Sequence, residues 1–316
     1  MTVRMDAAAI LVDGLEKTYG SGSRAVAALR GVRLSVAPGE IYGLLGRNGA
    51  GKTTLVKILL DIVRPTGGEA RLLGRETRDA ETRRAVGYLP EDHRFPEHHT
   101  AETALLFYGS LSGLSLAECR ARTPRLLDLV GLAAAAKRKV RSYSKGMKQR
   151  LGLAQALVHD PRVLFLDEPT DGVDPVGRAE IRAVLERLKA EGKTIFLNSH
   201  LLSEVERICD RVGILDRGQL VREGTMDDLT RADLAFRIET APALDAAALG
   251  ALAGLVLSAA PAANGKGHEL KVAREADIDA VIDRLRERGI GIRALDGKRF
   301  SLEEVFLGAV EKEPAR

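Results

Sequence analysis

From Ile10 to about Gly224, short runs of apolar and β-branched residues alternate with longer stretches whose apolar positions recur every three or four residues. That alternation predicts an α/β fold, a mainly parallel sheet joined by crossover helices. Three runs, "EIYGLLG" (40–46), "VLFLDEP" (163–169) and "TIFLNSH" (194–200), are apolar along their length and end in polar or flexible residues. Strands buried on both faces have this pattern, and such folds bind ligands beyond the carboxyl ends of those strands.

After Met226 the pattern restarts. "LAFRIET" alternates as a strand, residues 244–252 have helical spacing, and "HELKVAR" alternates again; Ile278, Val281, Ile282 and Leu285 then share a helical face before the strand-like "GIGIRALD". These elements predict a small C-terminal α+β domain of ferredoxin-like type. Ser301 and Glu304 have capping-box spacing and announce a last helix. A chain of 316 residues exceeds what one core usually holds, and the expected division is residues 1–228 and 229–316.

The uncharged stretch 246–265 has the length of a membrane span, but it is mostly Ala and Gly and is interrupted by Pro261 and Asn264, so a span is not expected. The apolar run 7–12 is short for a signal-peptide core and stops at Asp13. Two cysteines, Cys119 and Cys209, without CxxC or His pairing, predict neither a disulfide framework nor a zinc site and fit a reducing cytoplasm. A net charge of +4 is too mild for a nucleic-acid binder, so any basic effect is local. Lys137, Arg138, Lys139, Arg141, Lys145, Lys148 and Arg150 form such a local run, with no acid among them.

"GRNGAGKTT" (46–54) satisfies the glycine, four residues, Gly-Lys-Thr pattern, with a predicted strand before it and a helical run after it. Gly46, Asn48, Gly49, Ala50 and Gly51 shape a loop whose amides face phosphate oxygens. Lys52 bridges the terminal phosphates, the Thr53 hydroxyl ligates Mg²⁺, and Thr54 completes the helix start, whose N-terminus favours an anion. The strand "VLFLDE" ends in Asp167 and Glu168. Adjacent carboxylates there divide the work: Asp167 holds Mg²⁺ through water, and Glu168 polarises the attacking water as general base.

These motifs, in this order, resemble the nucleotide-binding subunits of ABC transporters over residues 10–224. The resemblance implies a P-loop NTPase fold, ATP and Mg²⁺ as ligands, and two sites formed between subunits facing head to tail, in a homodimer or with a paralogous ATPase subunit. It places the family's signature loop at Tyr143, Ser144, Lys145, Gly146 and Met147, with Ser144 and Gly146 contacting the γ-phosphate held by the other subunit. Lys145 departs from the commonest signature, and it either assists nucleotide binding or only adds surface charge. Tyr19 falls where an aromatic stacks on adenine, with side-chain packing as its other reading. His200 falls at the switch histidine that contacts the γ-phosphate, and Asp174 falls at a dimer-interface position, with an ordinary Asp-Pro turn as the alternative.

One position departs more seriously. The strand "VGYLP" is followed by Glu91, where the family has a glutamine that senses Mg²⁺ and the transporter. Glutamate can ligate the ion but, when ionised, cannot donate a hydrogen bond, and it adds charge beside the phosphates. The segment after Glu91, "FPEHHTAETALLFYGSLSGLS", resembles the region that docks on a permease, and "SLEEVFL" resembles the tail of bacterial exporter ATPases, drug-resistance types included. Chromosome and repair members insert a long coiled coil, whereas 53 positions separate Glu91 from Ser144 here. The resemblance therefore implies an ATPase peripheral to the cytoplasmic face of the membrane, driving export through a separate permease, with no direct nucleic-acid partner.

Overall fold

The computed structural model describes residues 8–262, 267–274, 276–299 and 301–311. Ala7, Ala263, Asn264 and Gly265, from two stretches considered above, lie outside the described residues. The chain divides into two compact units: one runs to Met226 and resumes at Ala309, and the other is Asp227–Gly308.

The first unit opens with a hairpin, β1 (Ile10–Tyr19) and β2 (Val26–Val36), followed by β3 (Ile41–Leu45) and α1 (Lys52–Leu59). Next come β4 (Gly67–Leu72), β5 (Arg75–Glu76), α2 (Ala80–Arg84) and β6 (Val86–Leu89). Three helices, α3 (Ala101–Leu111), α4 (Leu116–Leu129) and α5 (Lys145–Leu157), intervene before β7 (Val163–Asp167). The unit continues with α6 (Pro175–Ala190), β8 (Thr194–Asn198), α7 (Leu202–Ile208), β9 (Arg211–Asp216) and β10 (Gln219–Thr225).

Two sheets result. A six-stranded sheet has the order β10-β9-β3-β8-β7-β6. Its β9, β3, β8, β7 and β6 are parallel, and β10 returns antiparallel to β9. Every residue of β3, β7 and β8 is buried, as in a parallel sheet covered on both faces. The other sheet, β2-β1-β4-β5, is antiparallel throughout. The alternation in sequence predicted one mainly parallel sheet, but the short Gly20–Ala25 connection lets β1 and β2 pair as a hairpin, which a parallel crossover could not span. One core fills the space between these layers, with Tyr42 stacked on Phe196 at 5.5 Å between ring centroids. A smaller core joins α3, α4 and α5 through Ala104, Leu105, Leu127, Val130 and Leu151.

After α8 (Met226–Thr230), the second unit runs β11 (Arg231–Ala241), α9 (Ala246–Ala251), β12 (Val256–Pro261), β13 (His268–Val272), α10 (Asp277–Glu287) and β14 (Gly291–Arg299). The βαββαβ order, with antiparallel pairs arranged β12-β13-β11-β14, is the ferredoxin-like split βαβ arrangement. α9 and α10 pack with the sheet around Ile238, Leu270, Val281 and Leu285. The uncharged stretch after Ala246 becomes the six-residue α9 and then the edge strand β12. Among the described residues no helix is long and apolar enough to cross a membrane. The last helix, α11 (Leu302–Glu311), starts with the expected reciprocal cap: Ser301 N–H donates to Glu304 Oε2 at 2.8 Å, and Glu304 N–H to Ser301 Oγ at 3.2 Å.

Candidate functional site

The parallel strands align so that β3, β7 and β8 end at one edge: Leu44 pairs with Asn198, and Asn198 with Asp167. The turn between β3 and α1 runs along this edge. It is built on glycine where nothing else fits. Gly51 sits at φ +108, and a Cβ there would stand 2.5 Å from Ala28 O; a Cβ on Gly46 would strike Leu215 O. Gly49 is also left-handed, at φ +82. Ala50 O accepts from Gly218 N–H at 2.8 Å, which ties the loop to the β9–β10 turn. Asn48 is exposed, Thr54 half-buried, and the Thr53 side chain lies on the exposed side of the first turn of α1.

Lys52 is buried at the start of α1. Its ammonium donates to Gly46 O at 2.6 Å and to Arg47 O at 3.4 Å, which leaves one N–H for an anion. Burial lowers its pKa, while the carboxylates of Glu168, Asp167 and Glu91 act in the opposite direction. The net effect is downward, and the three carboxylates limit it by favouring the charged form that binds phosphate.

Asp167 closes β7, and its Oδ1 accepts from Asn198 Nδ2. Burial raises its pKa, with the charges of Glu91 and Glu168 adding to the effect, although the Asn198 bond and Lys52 oppose it. Glu168 follows in a left-handed conformation, φ +50, unusual for a residue with a side chain. Three bonds fix that turn. Glu168 N–H donates to Asn198 O at 2.8 Å, and Glu168 O accepts from Gln149 Nε2 at 3.2 Å and from Asp171 N–H at 3.1 Å. The side chain is held as firmly: Oε2 accepts from Ser199 Oγ at 3.2 Å, and Oε1 lies 2.9 Å from His200 Nδ1. Strain over-determined in this way marks a position where the carboxylate's direction matters.

The other predicted positions fall as follows. Ser144 is the N-cap of α5, its Oγ accepting from Met147 N–H at 3.2 Å, so its own O–H is left to donate outward. Tyr143 belongs to the α3–α5 core, with its hydroxyl donating to Ala135 O at 2.7 Å. Gly146 faces Val173, whose Cγ1 would lie 3.3 Å from a Cβ. Lys145 bonds Asp171 Oδ2 at 2.7 Å within the same chain. Asp174 caps α6 by accepting from Gly177 N–H at 2.7 Å, with Pro175 at the first helical position. Tyr19 is exposed at the end of β1, with Lys17 Nζ 4.9 Å from its ring centroid. Glu91 is exposed beyond β6 and close enough to Lys52 and Asp167 to influence both.

Thus Lys52, Asp167, Glu168, His200 and Glu91 come together at one strand edge, whereas Ser144, Gly146 and Asp174 lie on the starts of two other helices. Sequence reasoning missed Asn198 and Ser199, which bond the two carboxylates, and Gln149, which bonds the Glu168 backbone carbonyl. A signal was present for the first two, because "NS" ends the apolar run 194–197 as "DE" ends its neighbour; only the pairing of β7 with β8 shows that they meet.

The donor set is hard oxygen: the Thr53 hydroxyl and the Asp167 and Glu91 carboxylates. The buried Asn198 Oδ1 beside Asp167 has no partner. Among the described residues no three His, Cys, Asp or Glu side chains form a cage for an ion. One or two carboxylates plus substrate phosphates is how Mg²⁺ is usually held, so the residues fit that ion better than an all-protein site.

Comparison with known proteins agrees with this geometry. The family model described as ABC transporter matches residues 29–171. An uncharacterized ABC transporter ATP-binding protein of Nostoc is 46% identical over 244 residues, 76% of this chain and 73% of the relative. A daunorubicin resistance ATP-binding protein of Streptomyces coeruleorubidus is 37% identical over 304 residues, 95% of each chain. Among solved structures, a dimeric ATP-binding cassette in a post-hydrolysis state, bound to ADP and Pi, superposes with a TM-score of 0.63 at 26% identity, covering 69% of this chain and 98% of that one. The loop, the acidic strand end and these likenesses together identify the chain as a member of the ABC transporter family, an ATP-binding subunit with the fold and activity of an ATPase.

Proposed function

We propose that two such chains, or this chain and a paralogue, close head to tail around two ATP·Mg²⁺ and drive export through a separate membrane permease. Tyr19 stacks on adenine, and the amides of residues 46–54 with Lys52 hold the β- and γ-phosphates. Thr53, Asp167 and Glu91 hold Mg²⁺, which when bound neutralises charge on the phosphates. Glu168 takes the proton of the attacking water, and His200 steadies its carboxylate and contacts the γ-phosphate. Ser144 and Gly146 of the second copy read that same phosphate from the far side, their helix start offering amides and a hydroxyl. Asp174 lies at the contact between the copies. ATP binds the closed dimer more tightly than the open one, and that difference drives the permease.

The observation that carries this reading is the fixed carboxylate of Glu168, held by Ser199 and His200 at the end of β7. Export is supported by the likeness, along 95% of both chains, to a relative named for daunorubicin resistance. A permease surface is supported by the α3 region, where Phe107 and Leu111 are exposed beside the ring cluster of Phe95, His99 and Tyr108. Both features support a position on the cytoplasmic face of the membrane, beside a permease. The test is Glu168→Gln: turnover should fall about 10²- to 10⁴-fold, while ATP should accumulate a closed dimer on gel filtration. Turnover near that of the wild type would refute Glu168 as the base.

A further inference from the structure

The turn that starts α5 and the loop beyond Glu168 are joined within one chain. Lys145 reaches Asp171 Oδ2 at 2.7 Å, and its stem crosses Gly172 so closely that any Cβ there would collide with the lysine ammonium and methylenes. Gly172 has φ +61 and is suited to that passage. The next residue, buried Val173, rests against Gly146. At its other end the loop returns to the base, for Asp171 N–H donates to Glu168 O at 3.1 Å. The Lys145 bond draws the Asp171 carboxyl below its usual range, and the charge of His200 adds to this.

The lysine and aspartate side chains are 59% and 46% exposed, so the ion pair contributes little to stability. Its consequence is placement. Ser144, Lys145 and Gly146 are consecutive, as are Asp171, Gly172 and Val173, so the pair and the Val173 contact clamp two short loops at two points. One loop faces a neighbouring copy's nucleotide in the reading given above; the other presents this chain's own base.

We propose that Lys145 is a positioning residue: through Asp171 it fixes the phosphate-reading turn of a chain to the loop that aims that chain's Glu168, so the two sites of the dimer respond to one another. This rests on the two-chain reading. It also gives Lys145, whose role the sequence left open, a partner in its own chain, the Asp171 carboxylate.

The test uses the full-length protein and measures kcat, the Hill coefficient for ATP, and ATP affinity of the single chain. Lys145→Met should lower kcat by about tenfold and bring the Hill coefficient toward one, with single-chain affinity unchanged because the 46–54 loop is untouched. Lys145→Arg should behave as wild type, and the exchange Lys145→Asp with Asp171→Lys should recover both quantities. Wild-type kcat and cooperativity in Lys145→Met would overturn the proposal. So would rescue by arginine without rescue by the exchange, since that pattern belongs to a cation acting directly on phosphate. Glu168→Gln serves as the parallel control: if it forms an ATP-dependent dimer while Lys145→Met stays normal, only the link fails. If it forms none, the two-chain reading fails, and the link with it.

Discussion

The six-stranded sheet of the first unit and the four-stranded sheet of the second both alternate strands with helices, yet among the described residues only the first gathers a cluster of buried charge. In the first, β3, β7 and β8 are parallel neighbours, so their carboxyl ends lie on one edge, and the polar residues that end each apolar run are brought side by side. In the second, each strand runs opposite to its neighbours. Strand ends then alternate between two edges, and no edge collects them. The helices of that unit cover an aliphatic core of Ile238, Leu270, Val272, Val281 and Leu285. Direction of strand pairing, more than composition, decides where Lys52, Asp167 and Glu168 can meet.

The largest effect expected from breaking this contrast lies in the loop over the parallel edge. Gly51→Val places a branched side chain at φ +108 against Ala28 O and Leu29. ATP affinity should fall by at least about a hundredfold, read by calorimetry, with circular dichroism keeping its native form. In the second unit, Leu285→Ala removes a fully buried side chain from α10. That unit should lose about 2–5 kcal/mol in urea unfolding while ATP turnover per folded molecule changes less than about twofold. A collapse of turnover would show that the second unit is needed by the parallel edge after all.

The smallest effect sharpens the electrostatic side. Burial and neighbouring carboxylates raise the Asp167 pKa in the folded chain, so across the window between its unfolded and folded values the folded state binds more protons, and stability falls as pH rises. Above that window the ionised side chain is a full cost. Asp167→Asn should therefore raise the melting temperature of the nucleotide-free protein at pH 7.5 by about 2–4 °C. The gain should vanish as acidic pH protonates the wild-type carboxyl. A gain that persists at acidic pH would point to a packing effect instead.

Much of this architecture was legible from residue order. The glycine-lysine loop, the acidic strand end and the βαββαβ restart after Met226 each depend on local spacing, which a sequence displays directly. What stayed hidden depends on pairing between distant segments. Asn198 and Ser199 serve Glu168 and Asp167 only because β7 and β8 are adjacent, and Gln149 reaches Glu168 across a separate helix. The antiparallel β2-β1-β4-β5 sheet was obscured because β4 and β5 look like further members of the βα series, although β4 pairs back onto β1. The basic run around the start of α5 divides in the same way: Lys145 meets Asp171 and Arg150 meets Glu180, neither of which lies near in sequence.

The central claim is that one chain holds only half of each ATP site. It is tested most directly by mixing two inactive variants, Glu168→Gln and Ser144→Trp, and measuring ATP turnover. In a head-to-tail pair the two defects fall in the same site and leave the other intact. Mixing should then recover turnover, up to about a quarter of the wild-type rate if chains pair at random and the sites act independently. Should the mixture stay as inactive as each variant alone, while gel filtration shows that the two chains have paired, the shared-site account would be contradicted.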